Sequence, residues 1–101
     1  MTEKEDFDRI FKEGAARHCD VLMIKILKND LGIRRFAVIV SKKISAKAVE
    51  RNEAKRKVRE VLRLNQDMFP GSSDIVAYTK PQIKGKSIQD IEKCIQSTAR
   101  R

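Results

Sequence analysis

Between Lys42 and Arg63 the sequence gathers side chains suited to one kind of chemistry, the gripping of phosphate. Lys42, Lys43, Arg51, Asn52, Lys55, Arg56, Arg59 and Arg63 fall in this stretch. An Arg guanidinium holds a phosphate through two parallel hydrogen bonds, a Lys ammonium acts as a point charge, and an Asn amide donates and accepts at a base or sugar edge. Residues 42–63 carry nine basic and three acidic groups, so +6 of the chain's net +9 sits there. The flanks hold only +1 (residues 1–41) and +2 (residues 64–101). Solubility alone does not require such concentration, and a polyanionic partner does.

These residues need an element that turns them to one side. Ala54, Val58, Val61 and Leu62 recur at i, i+4, i+7 and i+8, which predicts a helix from near Ser45 or Ala48 to about Asn65. At 100° per residue the four apolar side chains span a sector of about 100°. Arg51, Lys55, Arg59, Asn52, Arg63 and Arg56 follow around the next arc; Glu60, Glu53 and Glu50 take the remaining one, with Lys57 set apart. A merely solvated helix interleaves its charges so that i, i+4 pairs form, as Glu53 with Lys57 would. Cations on one flank repel one another, and a phosphate backbone offsets that repulsion. Lys42 and Lys43 lie where the helix begins, at the positive end of its dipole.

Outside this stretch, chemistry-bearing residues are sparse. His18 is the lone histidine, and Cys19 and Cys94 lack the C-x-x-C spacing of a zinc site. No carboxylate cluster of D-x-D or D-x-E type is read as a two-metal centre, and no glycine-rich loop is present to cradle a nucleotide. The acidic start at Met1-Thr2-Glu3 has no apolar core of a secretion signal, so the two cysteines are expected as free thiols in a reducing cytoplasm. The longest apolar runs are too short to span a bilayer.

With 101 residues, 41% of them hydrophobic and 37% charged, the chain suits one small folded domain, residues 1–101. Thr2 and Glu5 have capping-box spacing ahead of Phe7, Ile10 and Phe11, and Gly14 provides a stop, predicting a helix from about Glu3 to Glu13. Val21–Leu27 reads as a strand. Arg35–Val40 is a nearly continuous apolar run, expected as a central strand buried on both faces. Asp74–Thr79 reads as another strand, closed by Pro81. Ser87 is placed to cap a last helix with an Ile88, Ile91, Ile95 stripe. The order read is α-β-β-α-β-α.

The residues from Arg35 to Lys43 (Arg-Phe-Ala-Val-Ile-Val-Ser-Lys-Lys), followed by Arg51-Asn52-x-x-Lys55-Arg56-x-x-Arg59-Glu60, resemble the protein subunit of bacterial ribonuclease P. Phe7-x-x-x-Phe11-Lys12-x-Gly14 is in register with that family's first helix, and Asp74-Ile75-Val76 with its last strand. Glu53 stands where the family usually has a further Arg, Ala54 where a larger aliphatic is common, and Ala37 in place of a frequent Gly. The acidic start also differs from the basic extension common in the family.

The resemblance implies an α+β fold of α-β-β-β-α-β-α type: a central mixed sheet of about four strands with three helices, like the second domain of ribosomal protein S5, with a left-handed β-α-β crossover. The extra strand is expected from the splitting of one already read. The resemblance also implies a role in tRNA processing. Arg51, Asn52, Lys55, Arg56 and Arg59 would hold the catalytic RNA subunit, and Phe7 and Phe11 would line a cleft for the 5′ leader of precursor tRNA. An i, i+4 aromatic pair on a helix is otherwise core. The RNA would carry catalysis with bound Mg2+, the protein alone binding no cofactor and requiring no protein partner. The competing expectation is an S5-like ribosomal or ribosome-associated protein; a filled sheet face would favour it. A DNA-binding module is weaker, because a strand rather than a second helix follows the basic helix.

Overall fold

The computed structural model describes residues 4–40 and 46–99. In chain order these form α1 (Lys4–Glu13), β1 (Ala15–His18), β2 (Leu22–Lys28), β3 (Arg34–Ile39), α2 (Ala48–Leu64), β4 (Ser73–Thr79) and α3 (Ile88–Ala99), with short 3-10 turns at Gln66–Met68 and Pro81–Ile83. The four strands make one mixed sheet in the order β1-β2-β4-β3. Its β1–β2 and β2–β4 pairings are antiparallel, while β3 and β4 run parallel and are joined through α2. The expected α+β architecture, three helices on a four-stranded mixed sheet, is the one found.

Side-chain alternation divides the sheet into two faces. Leu22, Ile24, Val38, Ile75 and Ala77 point to one side and pack with Val58, Val61 and Leu62 of α2 and Ile91 and Ile95 of α3. The apolar stripe read along α2 is therefore the core face. On the other side α1 crosses β2 and β4. Its Ile10 is fully buried, as is Val76, and neither belongs to the helix-side cluster. Gly14 ends α1: its N–H reaches the Ile10 carbonyl at 2.8 Å, and a Cβ there would meet that oxygen at 2.5 Å. Ser87 caps α3 as expected, its Oγ accepting from the Asp90 N–H at 3.2 Å and donating to the Asp90 carboxylate at 3.0 Å. The Thr2–Glu5 capping box lies outside the described side chains.

Three expectations are corrected. The apolar strand β3 is an edge strand, not a central one; β4 occupies the centre, with Ser73 to Ala77 all buried. Nor is β3 buried on both faces: of its residues only Val38 is buried and Ile39 is exposed, because the helices cover one face and α1 leaves this edge of the other uncovered. The additional strand is not a split element but β1, formed by Ala15-Ala16-Arg17-His18. Those residues lack β-branched or alternating character, and they are extended because β2 offers them hydrogen bonds. Finally, Cys19 and Cys94 are not free thiols: they form a disulfide, with Cα atoms 5.6 Å apart. The turn after β1 rests against the middle of α3, a proximity invisible in residues 75 positions apart.

Candidate RNA-binding site

The α2 helix positions the cationic arc. With Val58, Val61 and Leu62 buried, Asn52, Arg56, Arg59 and Arg63 are exposed, and Arg51 and Lys55 half-exposed. Asn52, Lys55, Arg56, Arg59, Glu60 and Arg63 line one open surface depression. The depression departs from the predicted arc at two places: Glu60 is part of its lining, and Arg51 is not, since 100° per residue sets Arg51 about 60° from Ala54, between Val58 and Leu62. Lys42 and Lys43 lie outside the described residues.

The charges are less segregated than the helical wheel implied. Arg56 holds the Glu53 carboxylate through Nε and Nη2, and Arg63 holds Glu60 in the same way, with Nη2–Oε1 distances of 2.5 and 2.6 Å. Both pairs are i, i+3. The Arg partner in each holds the carboxyl below its ordinary range, chiefly by hydrogen bonding. Glu53 bonds to Arg56, while Lys57 turns toward the loop before α3 and donates to the Lys86 carbonyl at 3.2 Å. Arg51 donates to the Ala46 carbonyl at 3.0 Å, bridging back across the start of the helix.

The second surface is the sheet face that α1 covers only in part. Cross-strand register places His18, Met23, Tyr78 and Ile39 in one row across all four strands, with Ala16, Lys25, Val76 and Ala37 in the next. Val76 in the second row is fully buried, as is Ile10 of α1, and the first row is left open: His18 and Ile39 are exposed, Met23 and Tyr78 half-buried. Phe7 is half-buried on α1, whereas Phe11 is 54% exposed, so the aromatic pair is not simply core. The Phe11 ring meets Tyr78 edge-on at 5.8 Å, and the Lys25 ammonium stands 5.1 Å from the Phe11 centroid. Burial, assisted by Asp8, pushes the Tyr78 hydroxyl above its ordinary range, so it stays a neutral donor.

Tyr78 and Lys25 were missed in the sequence. The signal was there for Tyr78: in Asp74–Thr79, Ile75 and Ala77 point to the helices, so Val76 and Tyr78 must face the other way. Lys25 interrupts an otherwise apolar strand, and its significance depends on where α1 lies. Asp6 and Asp8 also have D-x-D spacing, which the sequence argument passed over; on α1 they are turned about 200° apart. Among the described residues no three His, Cys, Asp or Glu side chains gather to hold a metal ion.

Comparison with known proteins addresses identity directly. The family model described as ribonuclease P matches residues 1–101. The chain belongs to the ribonuclease P protein family. It is 35% identical to the ribonuclease P protein component of Clostridioides difficile, over all of this chain and 89% of that one. It is 33% identical to that of Pelotomaculum thermopropionicum, with the same coverage. The solved ribonuclease P protein of Thermotoga maritima, in complex with 1-(4-fluorophenyl)-2-thiourea, superposes with a TM-score of 0.87 at 28% identity, over all of this chain and 97% of that one. The Staphylococcus aureus protein shares the fold at a TM-score of 0.86 and 24% identity, over 99% of this chain and 91% of its own. The sequence motifs that suggested ribonuclease P therefore identified the family correctly. Membership connects the chain with an endoribonuclease that processes tRNA, and no described helix is long and apolar enough to cross a membrane.

Proposed function

We propose that this chain is the accessory subunit of ribonuclease P that binds the catalytic RNA through the α2 arc and holds the 5′ leader of precursor tRNA on the open sheet face. One observation carries this beyond family membership: the sheet face beside α1 is unfilled and displays Phe11 and Tyr78 as a partly exposed aromatic pair with Lys25 against it. An aromatic ring next to a cation suits a single-stranded leader, whose bases stack while its phosphates are neutralised. The partly exposed Phe11 and Tyr78 rings support this reading over that of an S5-like ribosomal protein.

On this reading the division of labour follows from the side chains. Arg51, Lys55 and Arg59, with Asn52 between them, meet phosphates and sugars of the RNA subunit; Arg56 and Arg63 join by exchanging their glutamate partners for phosphate. Lys42 and Lys43 are assigned to RNA binding from the sequence motif alone. Phe7 and Phe11 orient the leader. The chain contributes binding and position, while catalysis and its Mg2+ belong to the RNA, whose phosphates supply the hard oxygen ligands that the ion prefers. No membrane or further protein partner is needed, and the cytoplasm, where precursor tRNA is made, is the proposed compartment.

The test is cleavage of a precursor tRNA by a bacterial ribonuclease P RNA at low magnesium, with and without this protein. Stimulated cleavage at the mature 5′ end is expected. No stimulation, together with tight binding to other structured RNA, would instead support the ribosome-associated role.

A further inference from the structure

The proposed RNA-binding role does not use the Cys19–Cys94 pair, yet the setting of that pair is distinctive. Cys19 occupies the turn between β1 and β2, where its N–H bonds to the Leu22 carbonyl at 3.0 Å. Cys94 lies on α3, next to the fully buried Ile95. Both cysteines are only half-buried and line an open surface pocket. Lys80, Lys86 and Lys93 line the same pocket, along with Asp20 and Asp90. The Lys80 ammonium is fixed beside the pair by a 2.8 Å bond to the Cys19 carbonyl. Asp90 is committed to capping Ser87, which leaves Asp20 as the one acidic group facing the lysines without a described bond of that kind.

Nearby cations favour the thiolate over the thiol, and access decides whether a thiolate can exchange. Here a solvent-open pocket with three lysines surrounds a pair already at bonding distance, since a Cα separation of 5.6 Å lies within the range disulfides adopt. We infer that Cys19 and Cys94 form a reversible thiol–disulfide exchange site whose lysine-lined pocket takes an anionic low-molecular-weight disulfide as oxidant. The Cys94 thiolate attacks one sulfur of that disulfide, forming a mixed disulfide and releasing one small thiolate. The Cys19 thiolate then attacks the Cys94 sulfur, closing the intramolecular bond and releasing the second. Two protein thiols are oxidised, one small disulfide is reduced to two thiols, and the two protons pass to the released thiolates. In the oxidised state α3 is tied covalently to the β1–β2 turn, closing a loop across 75 positions; in the reduced state its core packing and the bonds of Glu92 and Gln96 with Asn65 hold it.

The full-length protein is equilibrated with glutathione, as the anionic probe, over a range of reduced-to-oxidised ratios. Free thiols are counted after denaturation, and thermal unfolding is followed. The expected result is a monomer that passes from two free thiols to none, and an oxidised form that melts roughly 10 °C or more above the reduced one. Cys19→Ser and Cys94→Ser should each abolish the redox dependence of melting. Two titratable thiols at every ratio, or coincident melting curves, would overturn the exchange site. The pocket's role is read from rates: oxidised glutathione should react faster than cystamine, and the difference should shrink in Lys86→Ala/Lys93→Ala. Faster reaction with the cationic cystamine would overturn the lysine-lined recognition.

Discussion

Arg35 grips the fully buried carboxylate of Asp74 with one edge of its guanidinium, Nε to Oδ1 at 2.7 Å and Nη2 to Oδ2 at 2.8 Å. The two are direct partners in the parallel β3–β4 register. Asn29 adds a third donor at 2.9 Å and, through Ser72 and Leu31, ties the β2–β3 turn to the start of β4. The pair fixes the edge strand from which the chain proceeds into the RNA-binding helix. Removing Arg35 leaves a buried charge with one remaining neutral donor. Arg35→Ala is expected to destabilise the fold by about 3 kcal/mol, measured by denaturant unfolding; the lower end of the usual range applies because the guanidinium is partly exposed.

The same pair sets an acid limit. Hydrogen bonding to Arg35, with Asn29 and the charges of Arg35 and Arg9 assisting, holds the Asp74 carboxyl below its ordinary range despite burial. A depressed folded-state value means the stabilisation is complete above the unfolded carboxylate pKa of about 4 and is lost as pH falls through the folded value. Stability should therefore decline below about pH 4, and in Asp74→Asn it should start lower but fall less steeply over that window. Parallel curves for the two proteins would contradict this.

Binding of the RNA subunit should depend steeply on salt. With about four phosphates contacted, the slope of log affinity against log salt is expected near -3 to -4, about a hundredfold loss between 50 and 200 mM. Arg51→Ala/Lys55→Ala/Arg59→Ala should weaken binding and flatten the slope while melting stays close to wild type, because the core is held by the buried Val58, Val61 and Leu62 and none of the three cations is itself buried. Loss of folding in that variant would show the faces to be misassigned.

Glu53 competes with phosphate for Arg56. Glu53→Gln frees the guanidinium and removes a negative charge from the helix, so RNA affinity should rise several-fold, with a salt slope steeper by about one. The lost i, i+3 pair costs only a few tenths of a kcal/mol. Titrations of the two proteins at three salt concentrations would decide it; equal slopes would mean that Arg56 stays outside the interface.

Phe11→Ala should separate leader recognition from folding. The ring is more than half exposed, so stability should change little, whereas loss of stacking removes about 1 to 3 kcal/mol per base. The check compares holoenzyme affinity for precursor tRNA with and without its 5′ leader. The advantage of the leader-bearing substrate should shrink in the variant, and an unchanged ratio would remove Phe11 from the site.

The sequence by itself determined the parts of this protein that depend on local spacing. The period of Ala54, Val58, Val61 and Leu62 dictates both the α2 helix and the side on which Arg51, Lys55 and Arg59 must emerge. Gly14 and Ser87 mark helix ends because a close backbone approach and an N-cap are local requirements. Tertiary structure alone decided what depends on neighbours distant in the chain. That β3 is an edge strand follows from β4 having β2 on its other side, and β1 exists because β2 offers it a ladder. The Phe11–Tyr78–Lys25 group and the Cys19–Cys94 pair each join residues from separate elements. Such contacts arise from the order in which elements pack, which no helical or strand period encodes.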